Sequence, residues 1–304
     1  MLSNALITGS SGLLGLNFLL HEPKPYQFHA QINKRRINLP NIQSIKIDLG
    51  NLKSIEEALK ICSPEVVIHS AGMTNVDGCS EDPETANFVN GTLPSNIAKV
   101  CKDLGVKLVH ISTDHLFDGT KTFVDEEAPL NPLNAYGYSK ALGEEGVQKN
   151  NEEAIIVRSN FFTWGPSYRQ SFSDFIHNSL SNGDSISLAD DICYTPALAQ
   201  NLIEAILVLL DKDAKGIFNV VGSERLSKYD FGMKMAKIFG YKNDLINKVN
   251  WASIGAKATR PADLSLSDRK LREFLGYDLG TSSRNIQDLK TLMNTNLYKK
   301  VKSL

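Results

Sequence analysis

The chain has 304 residues, 42% of them hydrophobic and 22% charged, a composition typical of a globular protein with one large core or two fused lobes. Its 33 basic and 34 acidic residues give a net charge of −1, which argues against a nucleic-acid partner or an anionic membrane partner. No apolar run approaches the ~20 residues needed to span a bilayer, and the first residues lack the features of a signal peptide. Together these observations predict a cytoplasmic protein.

The cysteines and histidines show no metal-binding pattern. The four cysteines are widely spaced and include no Cys-x-x-Cys pair, so we expect reduced thiols in or near the core. The six histidines include no His-Glu-x-x-His or similar spacing. We therefore predict no metal site.

Over the first 160 residues, short apolar runs alternate with amphipathic stretches. Strands are predicted over 5–8, 26–32, 44–48, 65–69, 106–112 and 154–158. Helices are predicted from near residue 12, over 52–61, over 83–104 as one long helix or two shorter ones, and over 135–148. Continuous apolar strands separated by helices are typical of a parallel sheet covered on both faces. We therefore predict an α/β protein with a doubly wound Rossmann fold.

The pattern changes after Phe161. An aromatic and polar loop over 164–170 precedes predicted helices over 172–180, 196–210, 228–239 and 268–274, and a predicted strand over 217–221. We predict that residues 1–160 form the Rossmann domain. Residues 161–304 are predicted to form mainly a smaller, mixed α/β substrate-binding lobe, with some later segments returning to the sheet.

A glycine-rich turn follows the first predicted strand. Its glycines are spaced three and three where the strand passes into a helix, the pattern of a dinucleotide phosphate site. The amides at the start of that helix would face the phosphates. The predicted cofactor contacts in this turn are Gly9, Ser10, Ser11, Gly12, Leu13, Leu14 and Gly15.

The end of the second predicted strand bears on the choice of dinucleotide. No carboxylate is present there to bind the ribose of NAD, and the run Asn33, Lys34, Arg35, Arg36 offers three cations that suit the 2′-phosphate of NADP. We predict that the Rossmann domain over 1–160 binds NADP(H) rather than NAD(H), although a solvated basic loop would have the same composition. Further predicted cofactor contacts are Asp48 and Leu49 near the adenine, and Ala71 and Gly72 near the ribose.

A Tyr-x-x-x-Lys pattern lies at the start of the predicted helix over 135–148. Tyr136 and Lys140 are four residues apart and so share one helical face, whereas Tyr138 points to another. An ammonium beside a phenol lowers the phenol pKa from about 10, so Tyr136 can exchange a proton with a hydroxyl or carbonyl. Thr113 lies at the carboxyl end of the predicted fifth strand, where it can hydrogen-bond to a reacting carbonyl.

With these motifs in order, the chain resembles the extended short-chain dehydrogenase/reductases, most closely the dTDP-4-dehydrorhamnose reductase family. The similarity covers nearly the whole chain. It is carried by residues 8–15, 67–72, 74–77, 111–114, 117–119, 131–134, 136–140, 143–144, 260–261, 266 and 270–271, together with Asn90. The resemblance implies that Thr113, Tyr136 and Lys140 are catalytic, and that Tyr136 and Lys140 also contact the cofactor, with Lys140 holding its ribose. It also implies that hydride passes from NADPH to the 4-keto group of a nucleotide-linked sugar, in deoxysugar or cell-surface polysaccharide biosynthesis.

The resemblance also implies a set of substrate-binding residues. Two positions depart from the family: His115 stands where a tyrosine is common, and the segment over 161–165 replaces an aromatic-tyrosine-glycine sequence. Both face the sugar in the family, so the sugar and the nucleotide carrier stay open. Trp164 also fits a core role, and Arg260 a solvated one. The implied substrate contacts are Thr74, Val76, Asp77, Asp114, His115, Asn160, Trp164, Arg169 and Arg260.

Other functions of related proteins were weighed against the residues. A dehydratase would need a glutamate where this chain has His115, so elimination chemistry lacks its acid. An epimerase would use the same three catalytic residues with tightly held NAD, against which the basic run over 34–36 argues mildly. A non-catalytic, NADP-binding regulatory subunit, like the methionine adenosyltransferase β subunit, is not excluded by the catalytic residues. A homodimer is possible.

Overall fold

The protein is described here by a computed structural model covering residues 3–33, 35–255 and 257–304. Up to Arg158 the elements are β1 (Asn4–Thr8), α1 (Leu13–Leu20), β2 (Gln27–Ile32), β3 (Gln43–Lys46), α2 (Leu52–Cys62), β4 (Val66–His69), α3 (Val76–Glu81), α4 (Pro83–Asn87), α5 (Leu93–Leu104), β5 (Lys107–Ile111), α6 (Ala135–Asn150) and β6 (Ile155–Arg158). A π-helical turn, Phe88–Thr92, joins α4 to α5. The stretch predicted as one or two helices is therefore two helices joined by a widened turn.

The second half contains shorter elements. They are β7 (Phe161–Phe162), α7 (Phe172–Asn182), β8 (Ile186–Ala189), β9 (Cys193–Tyr194), β10 (Ala197–Leu198), α8 (Ala199–Asp211), β11 (Gly216–Asn219), β12 (Leu226–Ser227), α9 (Lys228–Phe239), β13 (Ile246–Val249), β14 (Asp263–Leu264), α10 (Arg269–Leu275), α11 (Ser282–Leu292) and α12 (Asn296–Lys302). Short 3₁₀ turns occur at Asn243–Leu245 and Trp251–Ile254. In the described parts of the chain, no helix is long and apolar enough to cross a membrane.

Seven strands form one sheet in the order β11-β6-β5-β4-β1-β2-β3, and the pairings from β6 to β3 are parallel. The order of β1 to β6 is that of a Rossmann sheet. β4 is buried at every position because helices cover both faces of such a sheet. On one face, α2 and α5 bury a core of aliphatic residues that includes Leu59, Val67 and Ile97. The predicted fold class is confirmed.

The chain divides into two compact units. The first contains the residues up to Thr113, Ala135–Val157 and Asp213–Phe218, and the second contains Asp114–Asn134, Arg158–Lys212 and Asn219–Leu304. Unit 1 holds most of the large sheet and α1 to α6. Unit 2 holds α7 to α12 and three small sheets, in the orders β10-β7, β12-β9-β14 and β13-β8.

Candidate active site

The glycine turn lies where the strand order of the large sheet reverses. β1 and β4 are neighbours, with Thr8 paired to His69, and the chain continues from β1 toward β2 but from β4 toward β5. Open α/β sheets bind ligands at the carboxyl ends of the strands at this switch point. Thr8 and His69 are the last residues of their strands, so the segments that follow them border this point.

The backbone of the turn requires glycine. Gly9 has φ +67°, and a Cβ added there would lie 2.6 Å from the backbone nitrogen of Ala71. A Cβ on Gly15 would lie 2.5 Å from the carbonyl oxygen of Gly9. Helix α1 begins immediately after Gly12, and the first amides of a helix have no acceptor within it. This helix start therefore suits the phosphates of a dinucleotide.

The side chain of Ser10 holds the turn to the two neighbouring strands. Its side chain is fully buried, and its Oγ lies 2.9 Å from the carbonyl oxygen of Ile7 and 2.7 Å from that of Gln31. The hydroxyl thus anchors the turn to β1 and β2, which leaves only the backbone of Ser10 for a ligand. The next residue, Ser11, is half-buried.

The other predicted cofactor residues differ in exposure. Asn33 and Arg35 are exposed just beyond β2, whereas Lys34 lies outside the described residues. Asp48 is exposed and its Oδ1 accepts a hydrogen bond of 3.0 Å from the amide of Gly50, so its carboxylate shapes a turn. Leu49 is buried in the core of unit 1, while the half-buried Ala71 and the exposed Gly72 follow β4.

Lys140 is tied to the end of β5. It is 5% exposed, and its Nζ donates a hydrogen bond of 2.7 Å to the carbonyl oxygen of Ile111, the last residue of that strand. Thr113, 4% exposed, comes two residues later. Burial lowers the pKa of Lys140 to about 8, an effect that the carboxylate of Glu144 opposes. The structure therefore places a buried ammonium beside the segment that carries the strand-end hydroxyl.

Tyr136 lies one turn before Lys140 in α6. Its ring, 9% exposed, packs in a cluster with Cys79 and Ala86, against which Val76 also packs. Asp77 is half-buried beside Val76, and Thr74 is exposed just before α3. The phenol that the sequence predicts as proton donor therefore borders the segment over 74–77.

Asn90 connects the segment after β4 to helix α6. It lies in the π-helical turn and is 1% exposed. Its Oδ1 accepts a hydrogen bond of 2.8 Å from the amide of Met73, and its Nδ2 donates to the carbonyl oxygen of Met73 at 2.9 Å and to Ser139 Oγ at 3.0 Å. Ser139 lies between Tyr136 and Lys140. Asn90 is thus a positioning residue that sequence reasoning noted only as part of a resemblance.

Two buried histidines lie near Lys140. His69 and His110 stand at paired positions of β4 and β5, and their rings are stacked with centroids 5.4 Å apart. Burial and the charge of Lys140 lower the pKa of His69 to about 3 and that of His110 well below its usual value. Both imidazoles are therefore neutral near pH 7. His69 Nδ1 is 2.7 Å from Thr8 Oγ1, so this pair also supports the residue before the glycine turn.

Unit 2 contains a second cluster of polar residues, of which Asp114 comes first in the chain. This carboxylate is 1% exposed and accepts a hydrogen bond of 2.7 Å from Nδ2 of Asn160. Burial lowers the pKa of Lys228 to about 8, and the negative charge of Asp114 opposes this by raising it. Burial also lowers the pKa of His115, against the charge of Asp114 and in the same direction as the charges of Lys228 and Arg260. Sequence reasoning missed Lys228 because it occurs in no recognised motif.

The three remaining predicted substrate residues differ in burial and in contacts. Trp164 is 2% exposed, and its Nε1 donates a hydrogen bond of 2.9 Å to the carbonyl oxygen of Leu289. Its ring packs edge-on against His177, Phe239 and Tyr298, a contact set typical of a core residue. Arg169 is exposed, and the guanidinium of Arg260 lies 4.6 Å from the ring centroid of Trp251.

Known proteins resemble this chain over almost its whole length. The RmlD substrate binding domain matches residues 3–294. A probable low-salt glycan biosynthesis reductase of Haloferax volcanii, Agl14, is 32% identical over 291 residues, covering 93% of this chain and 95% of that protein. The methionine adenosyltransferase 2 subunit beta of Xenopus laevis is 30% identical over 281 residues, covering 88% of this chain and 81% of its own length.

A solved structure has the same fold. The dTDP-4-dehydrorhamnose reductase of Bacillus anthracis, crystallised in complex with NADP, superimposes with a TM-score of 0.84. The superposition covers 96% of this chain and 99% of that chain, at 23% sequence identity. At this identity the likeness is one of fold.

Proposed function

The chain belongs to the RmlD substrate binding domain family, as its sequence motifs predicted, and on this premise we propose that it is an NADPH-dependent reductase of a nucleotide-linked 4-ketosugar. One observation carries the proposal: the hydrogen bond from Lys140 to Ile111 holds the helix of Tyr136 against the strand end that leads to Thr113. This contact supports the proposal that Thr113, Tyr136 and Lys140 act together on one carbonyl.

The residues of the glycine turn fit a dinucleotide. Gly9, Gly12 and Gly15 carry no side chains that would hinder the approach of a pyrophosphate, and the start of α1 offers amides to the phosphates. The exposed Arg35 and the absence of an acid over 33–36 favour the 2′-phosphate of NADP over the bare ribose of NAD. When bound, NADPH supplies the hydride for the reduction.

The chain's own residues would bind the carbonyl oxygen and supply its proton. Thr113 orients the carbonyl through a hydrogen bond, and Tyr136 donates its phenolic proton to that oxygen as it becomes an alcohol. Lys140 is protonated below pH about 8, so its positive charge would stabilise the phenolate left behind. Asn90 and Ser139 hold the backbone that presents these side chains.

Unit 2 is proposed as the substrate-binding lobe. Asp114 and Asn160 are hydrogen-bonded to each other, and Arg260 suits a diphosphate. The indole of Trp164 and the side chain of Leu49 are buried, so we assign both to packing rather than to ligand binding. The cytoplasm as location and a homodimer as assembly stay predictions.

The test is a turnover assay. Purified protein would be given NADPH and a panel of nucleotide-linked 4-ketosugars, and the loss of absorbance at the nicotinamide wavelength would be followed. We expect at least one panel member to be reduced, with NADPH preferred over NADH. Failure of every panel member with a protein that binds NADPH would refute the reductase function.

A second candidate is a non-catalytic regulatory role. It is favoured by the 30% identity to a methionine adenosyltransferase subunit beta, whose name describes a subunit of an enzyme of another class. This role predicts a stable complex with a catalytic subunit and no effect of Tyr136→Phe on that partner's activity. Affinity purification from the native organism with the bound proteins identified, run beside the turnover assay, separates the two candidates.

A further inference from the structure

A buried carboxylate of unit 2 holds both ends of one loop. Asp174, in the first turn of α7, is 1% exposed. Its Oδ2 accepts a hydrogen bond of 2.8 Å from the amide of Gly165 and another of 2.9 Å from the amide of Ser171. The residues between these two amides, 166–170, form a loop that is therefore closed at its base by a single side chain.

Lys302 of α12 completes this attachment from a distant part of the chain. Its Nζ lies 2.5 Å from Oδ1 of Asp174 and donates a hydrogen bond of 2.9 Å to the carbonyl oxygen of Gly165. The lysine side chain is 31% exposed, and its ammonium lies 5.6 Å from the ring centroids of both Trp164 and Tyr298. The backbone of Gly165 is thus held on both sides, its amide by Asp174 and its carbonyl by Lys302.

The tip of the 166–170 loop carries polar side chains. Ser167, Arg169 and Gln170 are exposed, whereas the two residues at the base of the loop are buried. The tip is folded by a hydrogen bond of 3.0 Å from the amide of Arg169 to the carbonyl oxygen of Pro166. A guanidinium can bind phosphate oxygens through two parallel hydrogen bonds, a geometry that depends on a fixed position. The loop therefore presents a side chain suited to phosphate on a backbone that is fixed at its base.

We propose that Asp174 and Lys302 are positioning residues, which hold the 166–170 loop so that Arg169 binds the diphosphate of the nucleotide-linked substrate. The inference rests on the proposed function, because it takes unit 2 as the substrate-binding lobe. Ordering a loop on binding costs free energy, so a loop that is already held binds its ligand more tightly. A buried carboxylate that loses its cation is strongly disfavoured. Removal of Lys302 should therefore displace Asp174 and release both ends of the loop.

The first test is kinetic and compares Lys302→Met with Lys300→Met, which changes an exposed lysine of the same helix. With a nucleotide-linked 4-ketosugar that the wild type reduces, Lys302→Met should raise the KM for the sugar about 5- to 30-fold. The kcat and the KM for NADPH should stay the same, and Lys302→Arg, which keeps the charge, should restore most of the affinity. Lower stability with an unchanged KM would show a purely structural ion pair and overturn the inference.

Binding of nucleoside diphosphates provides a test that needs no turnover. In titration calorimetry of the NADP-loaded protein with dTDP, UDP and GDP, Lys302→Met and Arg169→Gln should each weaken binding about 5- to 30-fold. The double variant should bind about as weakly as Arg169→Gln alone, because Lys302 acts through the loop that carries Arg169. Losses that multiply in the double variant overturn the inference. Wild-type protein that binds none of the three nucleotides also overturns it.

Cleavage by trypsin after Arg169 reports on the loop itself. In the ligand-free protein, this cleavage, followed by mass spectrometry, should be faster in Lys302→Met than in wild type and in Lys300→Met. Asp174→Asn is the second variant in case Lys302→Met fails to fold. Unchanged nucleotide binding and unchanged cleavage in both variants overturn the inference and leave the reductase function intact. Weakened nucleotide binding in Lys302→Met, without wild-type turnover of any ketosugar, supports the held loop and refutes the reductase function.

Discussion

Replacing Lys140 by methionine should make the cofactor-free protein more stable at pH 7 while abolishing its proposed activity. Lys140 is 5% exposed, and burial lowers its pKa from 10.5 to about 8. Its charged form is therefore disfavoured in the folded state. Methionine has a similar length and carries no charge, so it removes that penalty. The variant leaves the carbonyl oxygen of Ile111 without its present donor, which offsets part of the gain.

The size and sign of the effect follow from linkage. A pKa of about 8 in the folded protein against 10.5 in the unfolded chain corresponds to about 3 kcal/mol. Below pH 8 the lysine is charged in both states and the folded protein bears the whole penalty. Between pH 8 and 10.5 the folded state releases its proton first, so wild-type stability rises relative to the variant. The advantage of Lys140→Met should shrink by about 2 to 3 kcal/mol between pH 7 and pH 10.

Urea unfolding at several pH values measures this difference. The variant Lys149→Met, an exposed lysine of the same helix, controls for the chemical change itself. The lost hydrogen bond to Ile111 shifts the Lys140→Met curve by a constant and does not alter its slope against pH. Parallel stability curves for wild type and Lys140→Met from pH 7 to 10 would show that Lys140 is not held in a charge-disfavouring site.

Three further results are expected. Tyr136→Phe should lower kcat about 10²- to 10⁴-fold, far more than it weakens NADPH binding, and an unaltered kcat would rule out the phenol as proton donor. Gly9→Ala should weaken NADPH binding more than 10-fold in a fluorescence titration, because the new Cβ meets Ala71 at 2.6 Å; Gly183→Ala, also at positive φ but with open space, should leave binding unchanged. Trp164→Leu should lower the free energy of unfolding by about 2 to 4 kcal/mol, and a raised KM at normal stability would instead indicate a ligand contact.

Much of the fold could be predicted from local sequence. The apolar runs of β1, β4 and β5 and the amphipathic α2 are recognisable because burial on one or both faces imposes a simple periodicity. The short strands of unit 2 were missed. β9, β10 and β12 are two residues long, and their pairings join positions more than 30 residues apart, so no local pattern marks them.

Some residues of the candidate site could likewise be predicted from local sequence, and others could not. Candidates such as Gly9, Tyr136 and Lys140 belong to motifs whose spacing follows from the turn and the helix that carry them, and Thr113 lies at a recognisable strand end, so the sequence alone selects them as candidates. Asn90 and Lys228 have no such spacing. Asn90 acts through hydrogen bonds to residues 17 and 49 positions away, and Lys228 lies near Asp114 only because the chain of unit 2 folds back on itself.

By itself, the sequence determined the family, the doubly wound parallel sheet and the chemical types of the groups predicted at its carboxyl edge, because these depend on periodicity and short-range geometry. The tertiary structure alone decided which polar side chains are buried and what they touch. Burial sets the pKa of Lys140, encloses the indole of Trp164 and leaves the hydroxyl of Tyr194 without a hydrogen-bond partner among the described residues. Desolvation and long-range contact arise only when distant segments meet, so no local pattern encodes them.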